Sequence, residues 1–433
     1  MKTIGIDIGT TTISLVCAAA GKIVEARTLE NDSSLPANHP GERLQNPQRI
    51  EEIVRATLDE MLAAHPDTAR IGLTGQMHGI LYIDQEGRAL SPLYTWQDQQ
   101  GNLPLSDGKS MVQQIREETG IQAASGYGLV TYLCLQAAHR IPQNAASLCT
   151  IPDYVGLRLT GRTTPLMHAS MAASFGLYDV QNHAFYPEAL ETLGIDSAIL
   201  PPATDHIEII GEYRGIPVTA AIGDNQASFL GSFLSSTGLR EGLPLINIGT
   251  GGQISVMSDR YIETPGIEIR PLLGSHYLYV GASLCGGRAY AALEKFFREY
   301  AEAVTGRAES QYEIMQNLAA RAASTTLQVN TQFQGTRAHP EERGSILGIS
   351  EDNLTPADLI HGVLQGIARE LFDMYHTIRT QTGLQSDTII GSGNALRLNP
   401  VLQRIVEETF EARLIIPDIR EEAACGAAIA AAQ

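Results

Sequence analysis

Tryptophan occurs once in this chain, at Trp96, and cysteine five times, at Cys17, Cys134, Cys149, Cys285 and Cys425. The cysteines lie far apart, with no C-x-x-C pair and no histidine at ligand spacing. That pattern excludes a zinc ribbon or a disulfide scaffold and predicts reduced, buried thiols. Basic residues are scarce too: 30 Lys and Arg stand against 48 Asp and Glu, for a formal charge of -18. Nucleic acids and anionic membranes need a positive footprint, so neither is an expected partner. No apolar run approaches the roughly 18 residues of a membrane span. The opening Lys2-Thr3-Ile4-Gly5-Ile6 reads as a strand, not a secretory signal. The expected compartment is the cytoplasm.

What is present is an ordinary globular composition, 43% hydrophobic and 18% charged over 433 residues. That length suits two domains of about 200 residues each, and two domains imply a cleft. The acidity leaves a nucleotide ligand open, because backbone N–H groups and a divalent metal can compensate phosphate charge.

Along the chain, Ile4 to Gly9 alternates and is β-branched, and Thr10-Thr11-Thr12 leads into Ile13-Ser14-Leu15-Val16, which predicts a hairpin with an unusual turn. Strands are also expected at 71–74, 80–83 and 218–222, and helices at 50–62, 111–118 and 132–138. The class is mixed α/β. An internal echo stands out: Ile6-Asp7-Ile8-Gly9-Thr10 recurs as Ile246-Asn247-Ile248-Gly249-Thr250. The two copies point to related domains over 1–233 and 244–433, with the Ser-, Gly- and Pro-rich stretch from 232 to 244 as a hinge.

In the first copy, Gly9 lets the backbone approach an anion, and the N–H groups and hydroxyls of Thr10, Thr11 and Thr12 supply donors to phosphate. Asp7 beside them would repel phosphate unless a cation intervenes, so it implies a magnesium ion held through water. The second copy, Gly249-Thr250-Gly251 after Asn247, can cradle phosphate but brings no charge for a metal. Two such hairpins facing each other would clamp a triphosphate. Asp224 ends the strand of Pro217 to Gly223 and opens a helix. There the helix dipole should keep it ionised and fit to accept a hydroxyl proton during phosphoryl transfer. Gly391-Ser392-Gly393-Asn394 is a glycine-rich strand-to-helix turn on which a planar base can lie, with the Ala- and Gly-rich helix after Glu422 packed behind it. His78, Gln97 and Asp98 offer directional hydrogen bonds to vicinal hydroxyls, and Trp96 offers an apolar face.

In order along the chain, these segments resemble the FGGY carbohydrate kinases of the actin-like ATPase superfamily. The likeness runs through the Asp7 loop, Gly75-Gln76-Met77-His78-Gly79, Trp96-x-Asp98, Asp153-Tyr154 before Leu159-Thr160-Gly161, Ala173-Ser174, Gly223-Asp224-Asn225-Gln226-Ala227, Gly249-Thr250-Gly251 and Glu422 to Ala428. The resemblance implies a two-domain actin-like (ribonuclease H-like) ATPase fold with a central cleft. It implies Asp224 as catalytic base and Asp7 with Asp224 near Mg2+. Gly9, Thr10, Thr11, Thr12, Gly249, Thr250 and Gly251 would lie at the phosphates of ATP, and Gly391, Gly393 and Asn394 at adenosine. Gln76, Met77, His78, Trp96, Asp98 and Asn225 would lie around the sugar. Met77-His78 stands where glycerol kinases of the family have an Arg-Glu pair, so the implied acceptor is a ketose. Tyr94 to Asp98, Ala124 to Gly128 and Met171 to Gly176 are more similar to sedoheptulokinases than to xylulokinases. Two departures are visible: Gln100 stands where many relatives carry Arg, and the adenosine loop is Gly-Ser-Gly, not three glycines. The expected partners are thus a ketose and ATP, with homodimerisation left open.

Overall fold

The computed structural model describes every residue except 107, 234–239, 322, 323, 337, 338 and 340. Residues 234–239 of the expected hinge therefore lie outside the described residues. The chain forms two compact units, one made of Met1–Gly238, Arg270–His276 and Ile419–Gln433, the other of Leu239–Ile269 and Tyr277–Asp418. The two short returns to the first unit depart from a division at 233 and 244.

The first unit is built on a mixed sheet. β1 (Lys2–Ile8), β2 (Thr12–Ala19) and β3 (Lys22–Glu30) form an antiparallel meander. On its other side β1 pairs in parallel with β4 (Thr68–Gly75). Burial is consecutive, not alternating, over Thr3–Ile6 and over Ile13–Ala18, the pattern of strands covered on both faces. β4 also pairs with β5 (Ile216–Thr219) and, at its end, with β6 (Ile222–Gly223). The strand expected over 218–222 is thus interrupted at Ala220–Ala221. The expected helices are present as α1 (Pro47–Ala64), α2 (Met111–Thr119) and α3 (Gly128–Ala137).

The second unit repeats the arrangement. β7 (Pro244–Ile248) and β8 (Gly252–Ser258) form a hairpin, β8 pairs antiparallel with β9 (Tyr277–Ser283), and β7 pairs in parallel with β10 (Thr388–Ser392), which continues to β11 (Arg413–Ile415). Asp7 and Asn247 both occupy the last-but-one position of the first strand; beyond the last pairs, Ile8–Ile13 and Ile248–Gly252, the loops run over 9–12 and 249–251.

The C-terminal helix α4 (Glu422–Ala431) corrects one expectation. It belongs to the first unit and packs on the sheet there, whereas the 391–394 loop belongs to the second unit. The reason is steric: a Cβ at Gly5 would sit 1.8 Å from the Ala424 carbonyl oxygen, and one at Gly72 2.1 Å from that of Ala427. On its other side Gly426 faces the Ala227 carbonyl and Gly231 faces that of Glu422, each with 1.8 Å for a would-be Cβ. The Ala and Gly composition therefore serves close contact with the Asp224–Gly231 helix. No helix among the described residues is long and apolar enough to cross a membrane.

Candidate functional site

The loop between β1 and β2 is fixed from behind through its carbonyl groups. Asn31 Nδ2 donates to Gly9 O (2.8 Å), Gln45 Nε2 to Thr10 O (2.8 Å) and Asn31 N to Thr11 O (2.9 Å). With three successive carbonyls held toward the protein, the amide side of the loop is left to face a ligand, as in an anion-binding nest. Thr11 and Thr12 are exposed. Thr10 differs from the expectation, because its hydroxyl accepts from Trp96 Nε1 (2.9 Å) and donates to Gln76 Oε1 (3.4 Å). Gln76 Nε2 in turn donates to Gln45 Oε1 (2.8 Å), which closes a ring of hydrogen bonds back to Thr10. Gln76 is buried, and its side chain belongs to this ring. It braces the loop and does not reach into open space.

At the end of β4, Gly79 N donates to Met77 O (2.9 Å) across His78, whose φ is 72°. A three-residue turn with positive φ on a side chain larger than Gly is strained. Three contacts hold His78 there. Its N–H donates to Ser174 Oγ (3.0 Å), its Nδ1 lies 2.8 Å from Ser174 O, and its ring stacks on Tyr127 with centroids 4.6 Å apart and planes within 4°. A carbonyl only accepts, so Nδ1 carries a proton. Met77 is buried beside Gly223. Trp96 is 46% exposed, which suits a stacking face. Asp98 is wholly buried, with Oδ1 accepting from Gln100 N and Oδ2 from Gln100 Nε2, both at 2.9 Å. This expected sugar ligand therefore anchors the loop that carries Trp96, because its oxygens are occupied from within.

Asp224 is the first residue of the Asp224–Gly231 helix, and Gly223 is the cap. Gly223 N donates to Ser170 Oγ (2.9 Å), which lies 2.8 Å from His168 Nδ1. Ser170 N also donates to that nitrogen (3.1 Å), so Nδ1 is the acceptor and the proton sits on Nε2, facing Asp205 O. Burial lowers His168 to about 4, which keeps it neutral. The Asp224 carboxyl is pushed up to about 6, chiefly by burial, with the Asn225 N–H and the Arg270 charge acting the other way. Burial thus raises the group above the usual carboxylate range, yet the carboxylate still predominates at neutral pH, as expected of an ionised base. Asp7 is raised to about 7 by burial, then by Asp224 and Glu421. Two mutually repelling carboxylates beside a phosphate-type loop are what a cation would relieve. Asp7 and Asp224 are the residues fitted to hold Mg2+, which keeps most of its water and takes few protein ligands.

Next to Asp224, Asn225 Oδ1 is buried without a hydrogen-bond partner among the described residues. An acceptor in that state fits a hydroxyl donor.

In the second unit the loop carbonyls are held by backbone donors. Gly287 N donates to Gly249 O and Arg288 N to Thr250 O, both 2.9 Å, at the start of the Gly286–Thr305 helix, while Gly249 N donates to Gly251 O (3.0 Å). The amide of Gly249 is therefore engaged, and Thr250 lies exposed. Gly393 adopts φ 87°, and a Cβ there would lie 2.4 Å from Ile248 O. Asn394 is exposed, whereas Gly391 packs inward against Leu396 and Leu414. Only Gly393 and Asn394 of the expected adenosine loop are therefore open to a ligand.

Sequence reasoning missed Asn31, Gln45, Tyr127, His168, Ser170 and Ser174. Only Tyr127 and Ser174 lay within segments that had drawn attention.

The fold and the two pinned loops are those of a phosphate-binding α/β protein, and the family matches give the class: the FGGY N-terminal domain matches residues 2–231 and the C-terminal domain residues 245–433, and the chain belongs to the FGGY family of carbohydrate kinases. It is an ATP-dependent sugar kinase of α/β actin-like ATPase fold. Among its relatives, the sedoheptulokinase of Mus musculus is 26% identical over 94% of this chain and 92% of that protein. A xylulose kinase of Staphylococcus epidermidis is 24% identical over 99% of this chain and 87% of that protein. The crystal structure of xylulose kinase from Rhodospirillum rubrum superposes with a TM-score of 0.83 at 21% identity, covering 100% of this chain and 89% of that one.

Proposed function

We propose that this kinase transfers the terminal phosphate of ATP to the terminal primary hydroxyl of a ketose, with sedoheptulose as the preferred acceptor and sedoheptulose 7-phosphate as product. The observation that carries the reading is the acceptor cluster. His78 stacked on Tyr127, with its ring orientation fixed by Ser174, and the exposed Trp96 offer ring faces, and beside Asp224 lies the unsatisfied Asn225 oxygen. These groups match a neutral, hydroxyl-rich chain. The likeness to named sedoheptulokinases supports the choice of sugar.

In this reading Asp224 accepts the proton as the hydroxyl oxygen attacks phosphorus, since a carboxyl near 6 is ionised at neutral pH and close enough to it to act as a base. We assign phosphate oxygens to the amide face of residues 9–11 in the first unit and to the Thr250 and Gly251 amides in the second, and adenosine to Gly393 with Asn394. Mg2+ bound at Asp7 and Asp224 would neutralise charge on the transferring group. The five free cysteines are all buried, which suits a reducing compartment, and we place the enzyme in the cytoplasm.

The test is an ADP-release assay on sedoheptulose, xylulose and a panel of polyols, with and without Mg2+. A higher kcat/KM for xylulose than for sedoheptulose would refute the sugar assignment. ADP release that no sugar accelerates would refute the acceptor reading.

A further inference from the structure

The Arg140 side chain lies at the junction of two segments, one ending at Arg43 and the other, from Thr95 to Gln100, carrying Trp96. The α3 helix ends with its C-cap at Ala138, and His139 follows in the left-handed region (φ 53°). Arg140 N donates to Leu135 O and His139 N to Gln136 O, the double bond of a Schellman motif. That ending aims residue 140 across the neighbouring chain. One prong of its guanidinium pairs with Glu42 Oε1, and Nη1 donates to Gln100 Oε1 (3.2 Å). Glu42 is buried, and its Oε2 accepts from the Asn38 and His39 amides at 2.8 and 2.9 Å.

The orientation of Gln100 is forced. Its Oε1 faces a cation that only donates, and its Nε2 faces the Asp98 carboxylate, which only accepts. One arginine thus serves two buried carboxylates, Glu42 directly and Asp98 through a neutral amide. The two segments are also laced together, Thr95 N to Arg43 O at 2.9 Å and Gln99 N to Gly41 O at 2.8 Å. Trp96 stands between those bonds, with its indole N–H on the Thr10 hydroxyl.

We propose that Arg140 is a positioning residue for the acceptor site: through Gln100 and Asp98 it fixes the 95–100 loop, and so the Trp96 face and its bond to the phosphate loop. Where Arg would reach Asp98 directly from position 100, this chain delivers the charge from the end of α3. The inference rests on the proposed acceptor cluster only for its kinetic consequence.

Trp96 is the only tryptophan in the chain, so its fluorescence reports on this loop without any substrate. Arg140→Lys and Gln100→Met both leave a cation for Glu42 but break the fork to Asp98. Each is expected to red-shift Trp96 emission, increase acrylamide quenching and raise the KM for sedoheptulose or xylulose about fivefold to tenfold, the effect of one lost ordinary hydrogen bond, since the contact acts on the site only through the loop. The KM for ATP should move less than about twofold, well below one such bond. The exchange Gln100→Arg with Arg140→Gln should restore emission and KM, because one guanidinium again bridges the carboxylates. Emission and quenching unchanged in both single variants, or an exchange no better than Arg140→Gln alone, overturns the inference. A wild-type enzyme that phosphorylates neither ketose refutes the acceptor reading instead, while the fluorescence still decides this one.

Discussion

Replacing Asp224 with Asn should separate what this carboxylate does for catalysis from what it does to stability. In the folded chain its pKa is raised from 3.8 to about 6, chiefly by burial. The displacement corresponds to roughly 3 kcal/mol at 1.36 kcal/mol per unit, and the partial exposure of Asp224 brings it to about 2 kcal/mol. A folded pKa above the unfolded one means that the native state holds the proton more tightly. The group therefore carries no penalty below about pH 4, loses stability as pH rises from there through about 6, and stays penalised above. Asn cannot ionise, so the variant should be more stable than wild type by about 2 kcal/mol at pH 8, and the gap should shrink below about 1 kcal/mol at pH 4. Urea denaturation at the two pH values, in buffer without Mg2+, measures the difference. Turnover should fall on the order of a hundredfold to ten-thousandfold, with ATP binding retained. Equal stability gaps at both pH values would refute the burial argument, and near-wild-type turnover would refute the assignment of the base.

Trp96→Phe keeps a stacking ring but removes the N–H on Thr10, and kcat/KM should drop about fivefold, the weight of one hydrogen bond. A value unchanged within error would show that the Thr10 hydroxyl needs no such orientation. Gly426→Ala places a Cβ 1.8 Å from the Ala227 carbonyl in a pair of packed helices, so thermal melts should show a loss of about 3 kcal/mol or failure to fold. Wild-type melting would contradict the close contact. His139→Gly relieves a side chain at positive φ in a helix C-terminal motif and should stabilise by about 1 kcal/mol in the same assay. Asp153 is raised to about 7 by burial, so Asp153→Asn should gain most over wild type above pH 7 and nothing below pH 4. A gain independent of pH would refute that cause.

The strands that carry the site were legible because both loops follow β-branched runs and because the Asp7 segment repeats at Asn247. Asp224 was legible as the residue where a strand gives way to a helix. What the sequence hid lies in contacts between distant segments. Gln45, in a stretch without periodicity, closes a ring with Thr10 and Gln76. Ser174 and Tyr127 hold His78 from 96 residues away and from the facing ring. Composition misled in two places. The polar residues Gln76 and Asp98 looked like ligands, yet both are buried with their groups answered by protein. The Ala- and Gly-rich C-terminal helix looked like a backing for adenosine, yet it supports the helix of Asp224.

The two hairpins share strand order but differ by one residue in loop length and in how their loops are held, and the second difference bears on their roles. The second loop is pinned by backbone amides at the start of a helix, donors that no side-chain substitution removes. The first is pinned by Asn31 and Gln45 side chains, and its Thr10 hydroxyl is shared with Trp96 and Gln76. A change in the acceptor cluster can therefore be felt at the first loop through two hydrogen bonds, both inside the first unit. The second loop has no comparable side-chain link among the described residues. On this argument, sugar binding should alter how the first loop meets phosphate while leaving the second unmoved. The loop beside Asp7 is then where acceptor and phosphate are coupled.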